Sequence, residues 1–314
     1  MKRLIIILAI IFLSLTASAQ IKNESFKVED KKQAFSSTVA EDKKSVGATN
    51  AIEAVRLNDQ AVAKILNENN YEQAIALLRK AIETAPSCVK CFFNLGRAYT
   101  KTEKYDEAIE LFNKLIASNY RTANVYHALG DALSEKKLYR ESIEPYRQSL
   151  EIEPRNAIAL CSLGISLHQT KDYVQALRYF DEAIKVKPDL ADAHINRGAT
   201  LYNLNRFEDA LESLRQAIAL KPDSADAQNN VGSVLFRLGK TKKAQKYFSE
   251  ALRLNPRAKH AIFNMAISYL DQGERGLARE KLNLLEQIDV TLAEQLKKQL
   301  LQGYVVDASQ VLMK

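Results

Sequence analysis

A step of 34 residues runs through most of this chain and limits what it can fold into. Gly96, Gly130, Gly164, Gly198 and Gly232 stand 34 positions apart. Tyr71, Tyr105, Tyr139, Tyr173 and Phe207 keep the same register, as do Ala74, Ala108, Ala176, Ala210 and Ala244. Pro86, Pro154, Pro188, Pro222 and Pro256 also fall on it, with Tyr120 in the one vacant place. A fixed period of this length means one supersecondary unit stacked many times, each copy burying its apolar face against its neighbours. The unit reads as two helices. Around Gly96 the first runs from Phe92 to Tyr99, a polar turn follows, and the second runs from Tyr105 to Ile116.

The spacing assigns physical roles. Leu95, Leu129, Leu163 and Val231 precede a glycine whose missing side chain lets the paired helices approach closely. Arg197 replaces that apolar residue before Gly198, and its stem still covers apolar surface while the head reaches water. Ser142 once replaces the small alanine of the second helix. Each proline stops a second helix, because it cannot continue the hydrogen-bond ladder.

On these residues the chain resembles the tetratricopeptide repeat family. Phe92, Leu95, Gly96, Tyr99, Tyr105, Ala108 and Phe112 supply the family pattern in one copy. Leu160, Leu163, Gly164, Leu167, Tyr173, Ala176, Phe180, Ala183 and Pro188 supply it in another. The resemblance implies an all-α, right-handed superhelical solenoid of about seven helix-turn-helix repeats with a C-terminal capping helix. It also implies a concave face lined by the first helix of each pair. The family shares a scaffold rather than a ligand.

The expected domain order follows. Residues 1–19 read as a secretory signal: Lys2 and Arg3, an apolar run from Leu4 to Leu15, then Ala17-Ser18-Ala19 before cleavage at Ala19/Gln20. That run is short of the ~20 residues a spanning helix needs, although an uncleaved anchor is the alternative. Cleavage implies an exported chain, periplasmic or secreted. Residues 20–49 are polar, mixed in charge and without apolar period, and read as a disordered linker. Residues 50–88 form a degenerate first repeat, with Val62 where the glycine recurs and Asn58 where a bulky residue belongs. Five well-formed repeats occupy 89–258. A degenerate one follows at 259–292, where Ala266 replaces the glycine and Arg275 the aromatic. Residues 293–314 give a capping helix and tail, with Leu292, Leu296, Leu300 and Leu301 as its apolar stripe; a docking helix for a partner is the rival reading.

Chemistry has little to stand on. His127, His168, His194 and His260 lie in separate repeats without metal-type spacing, and no nucleophile elbow, phosphate loop or HExxH occurs. The repeats leave no stretch long enough for a catalytic domain, so a non-enzymatic chain without cofactor or metal is expected. A net charge of +7 without a Lys/Arg cluster or stacking aromatics argues against nucleic acid. Cys88 and Cys91 are the two cysteines of a CxxC motif at a helix start. A local disulfide, free thiols and a redox pair all remain open; a metal site is disfavoured because Cys161 lies two repeats on.

The inner face holds the functional expectation. With the glycine as eighth position, the sixth reads Asn94, Ala128, Ser162, Asn196, Asn230 and Asn264. An asparagine donates to a carbonyl and accepts from an amide at once, so a ladder of them suits the backbone of an extended peptide. The same asparagines also suit bonds between neighbouring helices, and both uses stay open. Phe93, Arg97, His127, Asp131, Ile195, Phe236 and Phe263 are expected beside them, with Ile158 and Ile165. The Lys-and-Asn arrangement that clamps a terminal carboxylate in chaperone-binding relatives is absent. The leading expectation is an exported scaffold holding a polypeptide segment in its groove, in envelope or secretion-complex assembly. The alternative is a self-assembling structural repeat protein.

Overall fold

The computed structural model of the 314-residue chain describes residues 46–311, with side chains described over 49–301. The signal peptide expected at 1–19, and the linker up to residue 45, lie outside the described residues. The described residues form fifteen helices and no strand. They fall into two compact units, the chain dividing between Pro188 and Asp189.

The N-terminal unit carries α1 (Val46–Glu68), α2 (Tyr71–Thr84), α3 (Val89–Lys101) and α4 (Tyr105–Ala117). It continues with α5 (Ala123–Glu135), α6 (Tyr139–Ile152), α7 (Ala157–Gln169) and α8 (Tyr173–Val186). The C-terminal unit carries α9 (Ala191–Asn203), α10 (Phe207–Leu220), α11 (Ala225–Arg237) and α12 (Thr241–Leu254). It ends with α13 (Lys259–Asp271), α14 (Arg275–Glu286) and α15 (Val290–Val311). Odd-numbered helices up to α13 are the first, or A, helix of each hairpin and even-numbered ones the B helix. Helix α1 opens at Val46, four residues inside the stretch that read as linker.

Within each unit a hairpin packs against itself and then onto the next A helix, as α1 does on α2 and α2 on α3. Within a unit successive A helices also touch, α1 with α3 with α5 with α7, and α9 with α11 with α13. No pair of B helices packs to a comparable extent. The stack is therefore tighter on its A side, which makes that side the inner wall of each unit. This is an all-α solenoid.

The marked glycines sit where the helices of one hairpin cross. A Cβ placed on Gly96, Gly130, Gly164 or Gly232 would run into Phe112, Tyr146, Phe180 or Phe248, each sixteen residues on. Those four rings are fully buried, each contributing about 1.5–3 kcal/mol by leaving water. At the ends of the stack the pair changes size together: Val62 and Ala266 stand at the glycine position, with the smaller Leu78 and Leu282 sixteen residues on.

Helix ends follow local chemistry. Asn70, Thr122, Asn156, Asp172 and Ser224 cap B or A helices by accepting from first-turn amides. Ala85, Glu153, Lys187, Lys221 and Asn255 end B helices with φ between −126° and −139°, as the following proline demands. Tyr120 stands in for the missing proline, and there Asn119 ends α4 instead by turning left-handed, φ 69°. Every A-to-B turn uses the same device at one register: Asn69, Glu103, Lys137, Lys171, Asn205, Gly239 and Gly273 all have positive φ. At Lys137 the turn closes as a Schellman motif, with Lys137 N donating to Ser134 O and Leu138 N to Leu133 O, both at 2.9 Å.

Helix α15 covers the last repeat. Leu292, Ala293 and Leu296 pack on Ile262, Phe263, Ile267, Leu282 and Leu285. Asp289 fixes its start by accepting from Leu292 N at 3.0 Å and pairing with Lys259 Nζ at 2.7 Å. A solenoid needs such an end, because the final hairpin otherwise shows water its apolar side.

Candidate functional site

The expected groove residues divide between the two units, and each set is described alone. Phe93, Asn94, Arg97, His127 and Asp131 belong to A helices of the N-terminal unit. Ile195, Asn196, Asn230, Phe236, Phe263 and Asn264 belong to those of the C-terminal unit.

In the N-terminal unit α3 presents Phe93 with the Arg97 guanidinium 5.8 Å above its ring, and Phe93 in turn tilts against Phe112 at 6.0 Å. Asn94 Nδ2 donates to Asn58 Oδ1 on α1 at 2.8 Å, tying two A helices together. The unexpected asparagine in the degenerate first repeat thus has a structural partner. On α5, His127 Nδ1 lies 3.7 Å from Asp131 Oδ2, and its Nε2 lies 3.4 Å from Ser162 Oγ on α7. The Tyr146 hydroxyl donates to Asp131 Oδ1 at 2.8 Å. Burial, and then the Asp131 charge, push the Tyr146 phenol well above its ordinary value. Asp131, His127 and Ser162 follow the order of a hydrolytic triad. Ser162 nevertheless lies in the middle of α7, where backbone N–H groups are spent on the helix itself and none is left to hold an oxyanion. The arrangement orders polar groups on the inner wall; it does not assemble a reaction centre.

The C-terminal unit holds a denser set. Asn264 Nδ2 donates across helices to Asn229 Oδ1 at 2.9 Å and Ser233 Oγ at 3.1 Å. Ser233 Oγ returns a bond to Asn229 O at 3.0 Å, and Asn229 Nδ2 reaches Asn230 Oδ1 at 3.4 Å. Asn196 Nδ2 donates to the Asp192 carbonyl of its own helix at 2.8 Å. These bonds use one half of each ladder amide. Among the described residues, Asn196 Oδ1, Asn230 Nδ2 and Asn264 Oδ1 have no hydrogen-bond partner. An acceptor, a donor and an acceptor thereby remain on three successive A helices, Asn196 and Asn264 half-buried and Asn230 only 4% exposed. Sequence reasoning missed Asn229 and Ser233, which occupy the fifth and ninth positions of α11; their polar character at inner positions was the available signal.

Two expectations change. Ile195 and Phe263, at the fifth position of α9 and α13, are 3% and 1% exposed and offer no side-chain surface to a ligand. Ile195 packs on Ala217 and Ala227 of the following helices, and Phe263 lies in the cluster under α15. Phe236 is half-buried and leans on that same cluster. The histidines spread as their spacing requires. Burial lowers His168 and His260 to about 4, His260 with a further push from Lys259 that Asp289 partly opposes. No group of three metal-ligating side chains occurs among the described residues, and no described helix is long and apolar enough to cross a membrane.

Cys88 and Cys91 are joined as a disulfide at the start of α3. Cys161 is buried on α7 and stands outside the disulfide.

Four sequence profiles, each described as tetratricopeptide repeat, match residues 66–132, 123–156, 155–223, and 195–259 with 232–289. Together they run from 66 to 289. The chain belongs to the tetratricopeptide repeat family. No curated protein matches it. Among solved structures, a tetratricopeptide repeat protein from Parabacteroides merdae is similar at a TM-score of 0.68 and 15% identity, covering 80% of this chain and 99% of that one. PilF of Pseudomonas aeruginosa is similar at 0.58 and 21% identity, with 68% and 96% covered. The Cut9–Hcn1 assembly of the APC/C is similar at 0.64 and 15% identity, with 81% and 54% covered. At these identities the likeness is one of fold alone. Membership of that family makes the chain a tetratricopeptide repeat scaffold for protein–protein interaction.

Proposed function

We propose that the chain is an exported scaffold that binds an extended polypeptide segment along the inner wall of its C-terminal unit. The observation that carries this is the alternation of Asn196 Oδ1, Asn230 Nδ2 and Asn264 Oδ1, each without a partner among the described residues. Neighbouring helices pack ~8–10 Å apart and an extended chain rises ~3.3 Å per residue, so about three ligand residues span one repeat. An N–H, a C=O and an N–H of the ligand main chain then meet the three amides in turn, which favours backbone over side-chain readout. Export rests on Lys2, Arg3, the Leu4–Leu15 run and Ala17-Ser18-Ala19, with cleavage at Ala19/Gln20. A periplasmic or secreted chain of this kind suits the assembly of envelope or secretion complexes.

Cross-linking and capture from the exported compartment identifies the partner, and the variants then test the reading. Asn230→Ala removes a free donor without breaking an inter-repeat bond, whereas Asn264→Ala removes a free acceptor together with two bonds to α11. The double variant keeps its helicity and loses roughly tenfold or more in affinity, from about 0.5–1.5 kcal/mol per hydrogen bond. Asn94→Ala, which breaks a comparable inter-helix bond in the other unit, leaves affinity unchanged. Equal binding by Asn230→Ala and the unsubstituted chain contradicts the proposal.

A further inference from the structure

The inner wall makes no use of the CxxC pair, and its surroundings are unlike those of a buried staple. Cys88 is the N-cap residue of α3 and is partly exposed; Cys91, in the first turn of the same helix, is 0% exposed. No side chain caps α3 and no acidic residue stands in its first turn. The positive end of the helix therefore lies at Cys88 with no carboxylate in the first turn to neutralise it, while Val89 N and Cys91 N are bonded to the Ser87 and Cys88 carbonyls. Exposed Lys90 adds a cation two residues away. Beside the pair lies a cleft of about 220 Å³, lined by Pro86, Val89, Phe92, Lys114, Leu115 and Tyr120. Lys114 Nζ stands 4.9 Å from the centre of the Phe92 ring, so its wall is aromatic and cationic together.

We infer that Cys88–Cys91 is an exchange-active disulfide, with Cys88 as the sulfur attacked and a polypeptide dithiol as its substrate class. The asymmetry of exposure decides the direction of attack. A substrate thiolate attacks the partly exposed Cys88 Sγ, forms the mixed disulfide with it, and breaks the Cys88–Cys91 bond. The electron pair goes to Cys91 Sγ, which takes up a proton as the buried thiol; the Ala54 carbonyl oxygen, 3.8 Å away on α1, accepts from that S–H. The second substrate thiolate then attacks the substrate sulfur of the mixed disulfide and expels Cys88 as thiolate. The substrate leaves oxidised by two electrons and the chain keeps them as a dithiol. A thiolate at an open helix N-terminus stabilises the reduced form, which makes the disulfide an oxidant towards ordinary dithiols. Cys161 takes no part, being buried on α7.

The full chain tests this directly and independently of any groove ligand. Folded protein is equilibrated with glutathione buffers of graded ratio, and its thiols are trapped with iodoacetamide and located by mass spectrometry. After reduction Cys88 is alkylated about tenfold or more faster than Cys91 and Cys161. Cys91→Ala accumulates a mixed disulfide with glutathione at Cys88, and Cys88→Ala forms none at Cys91. Circular dichroism of both variants confirms the helices, and the trapping of the unsubstituted chain stands even where a variant does not fold. A bond that survives excess dithiothreitol in the folded chain, or equal alkylation of Cys88 and Cys91, overturns the inference and leaves a structural staple.

Discussion

Gly232→Ala isolates the contact on which the repeat depends. A Cβ at Gly232 would stand 2.5 Å from Phe248 Cε1 and 2.6 Å from Cδ1, where ordinary contact begins at 3.4 Å. The ring would have to retreat by nearly an ångström, and Phe248 is only 1% exposed, so it has no open space to enter. Overpacking of this kind costs about 1–3 kcal/mol, while alanine in a helix interior returns about 1 kcal/mol over glycine. The net loss is on the order of 1 kcal/mol. Gly276→Ala, in the first turn of α14 with nothing within 4 Å of its Cβ, lacks the clash and gains about 0.5 kcal/mol. Urea denaturation followed by far-ultraviolet circular dichroism orders the midpoints as Gly276→Ala above the unsubstituted chain above Gly232→Ala. At Gly198, where Leu214 takes the place of the ring, a Cβ would still stand 2.6 Å from Leu214 Cγ, so Gly198→Ala is destabilising in the same way as Gly232→Ala. A Gly232→Ala chain as stable as Gly276→Ala would refute the close-contact argument.

Lys171→Gly relieves a side chain held at φ 67° and raises stability by about 1 kcal/mol, read as a higher denaturation midpoint; an unchanged or lower midpoint contradicts the turn assignment. Acidification gives another check. His168 titrates near 4 in the folded chain and near 6.5 when unfolded, so the unfolded state binds the extra proton between those values. Stability is full above pH 6.5 and falls towards pH 4 by up to on the order of 3 kcal/mol, and His168→Gln flattens that slope in urea melts across the window.

The period was legible because it rests on two constraints with no substitute. Glycine is the residue that leaves room for Phe112, Tyr146, Phe180 and Phe248, and proline is the surest stop after a B helix. The A-to-B turns were not legible. Left-handed backbone announces itself at Gly239 and Gly273, but Glu103, Lys137 and Lys171 take the same conformation. There the Schellman bonds and the packing of both helices offset about 1–2 kcal/mol of local strain, and no residue type records that trade. The vacant proline at Tyr120 shows the same limit from the other side. A left-handed Asn119 does its work, and an asparagine preceding a tyrosine is too common a pair to mark a helix end.

The site divides along the same line. Asparagine at the sixth position is visible in the sequence, yet its two uses separate only once the neighbouring A helix is in place. Asn264 points its amide nitrogen at residues 35 and 31 positions earlier, not 34, because the side chain slants across the helix crossing. A ladder drawn on the period alone therefore misses Asn229 and Ser233 and treats each asparagine as wholly available. At the fifth position Ile195 and Phe263 fail for a related reason, whereas Phe93, His127 and Asn229 do not. Ile195 and Phe263 were assigned to the inner wall by register, but these two apolar side chains are absorbed into the contacts between helices. What remains on the wall of the C-terminal unit is half of each asparagine, the half the fold does not spend. A surface built from such remainders is poor in side-chain pockets and suited to main-chain groups, which is why a polypeptide backbone, rather than a particular side chain, is the ligand chemistry it fits.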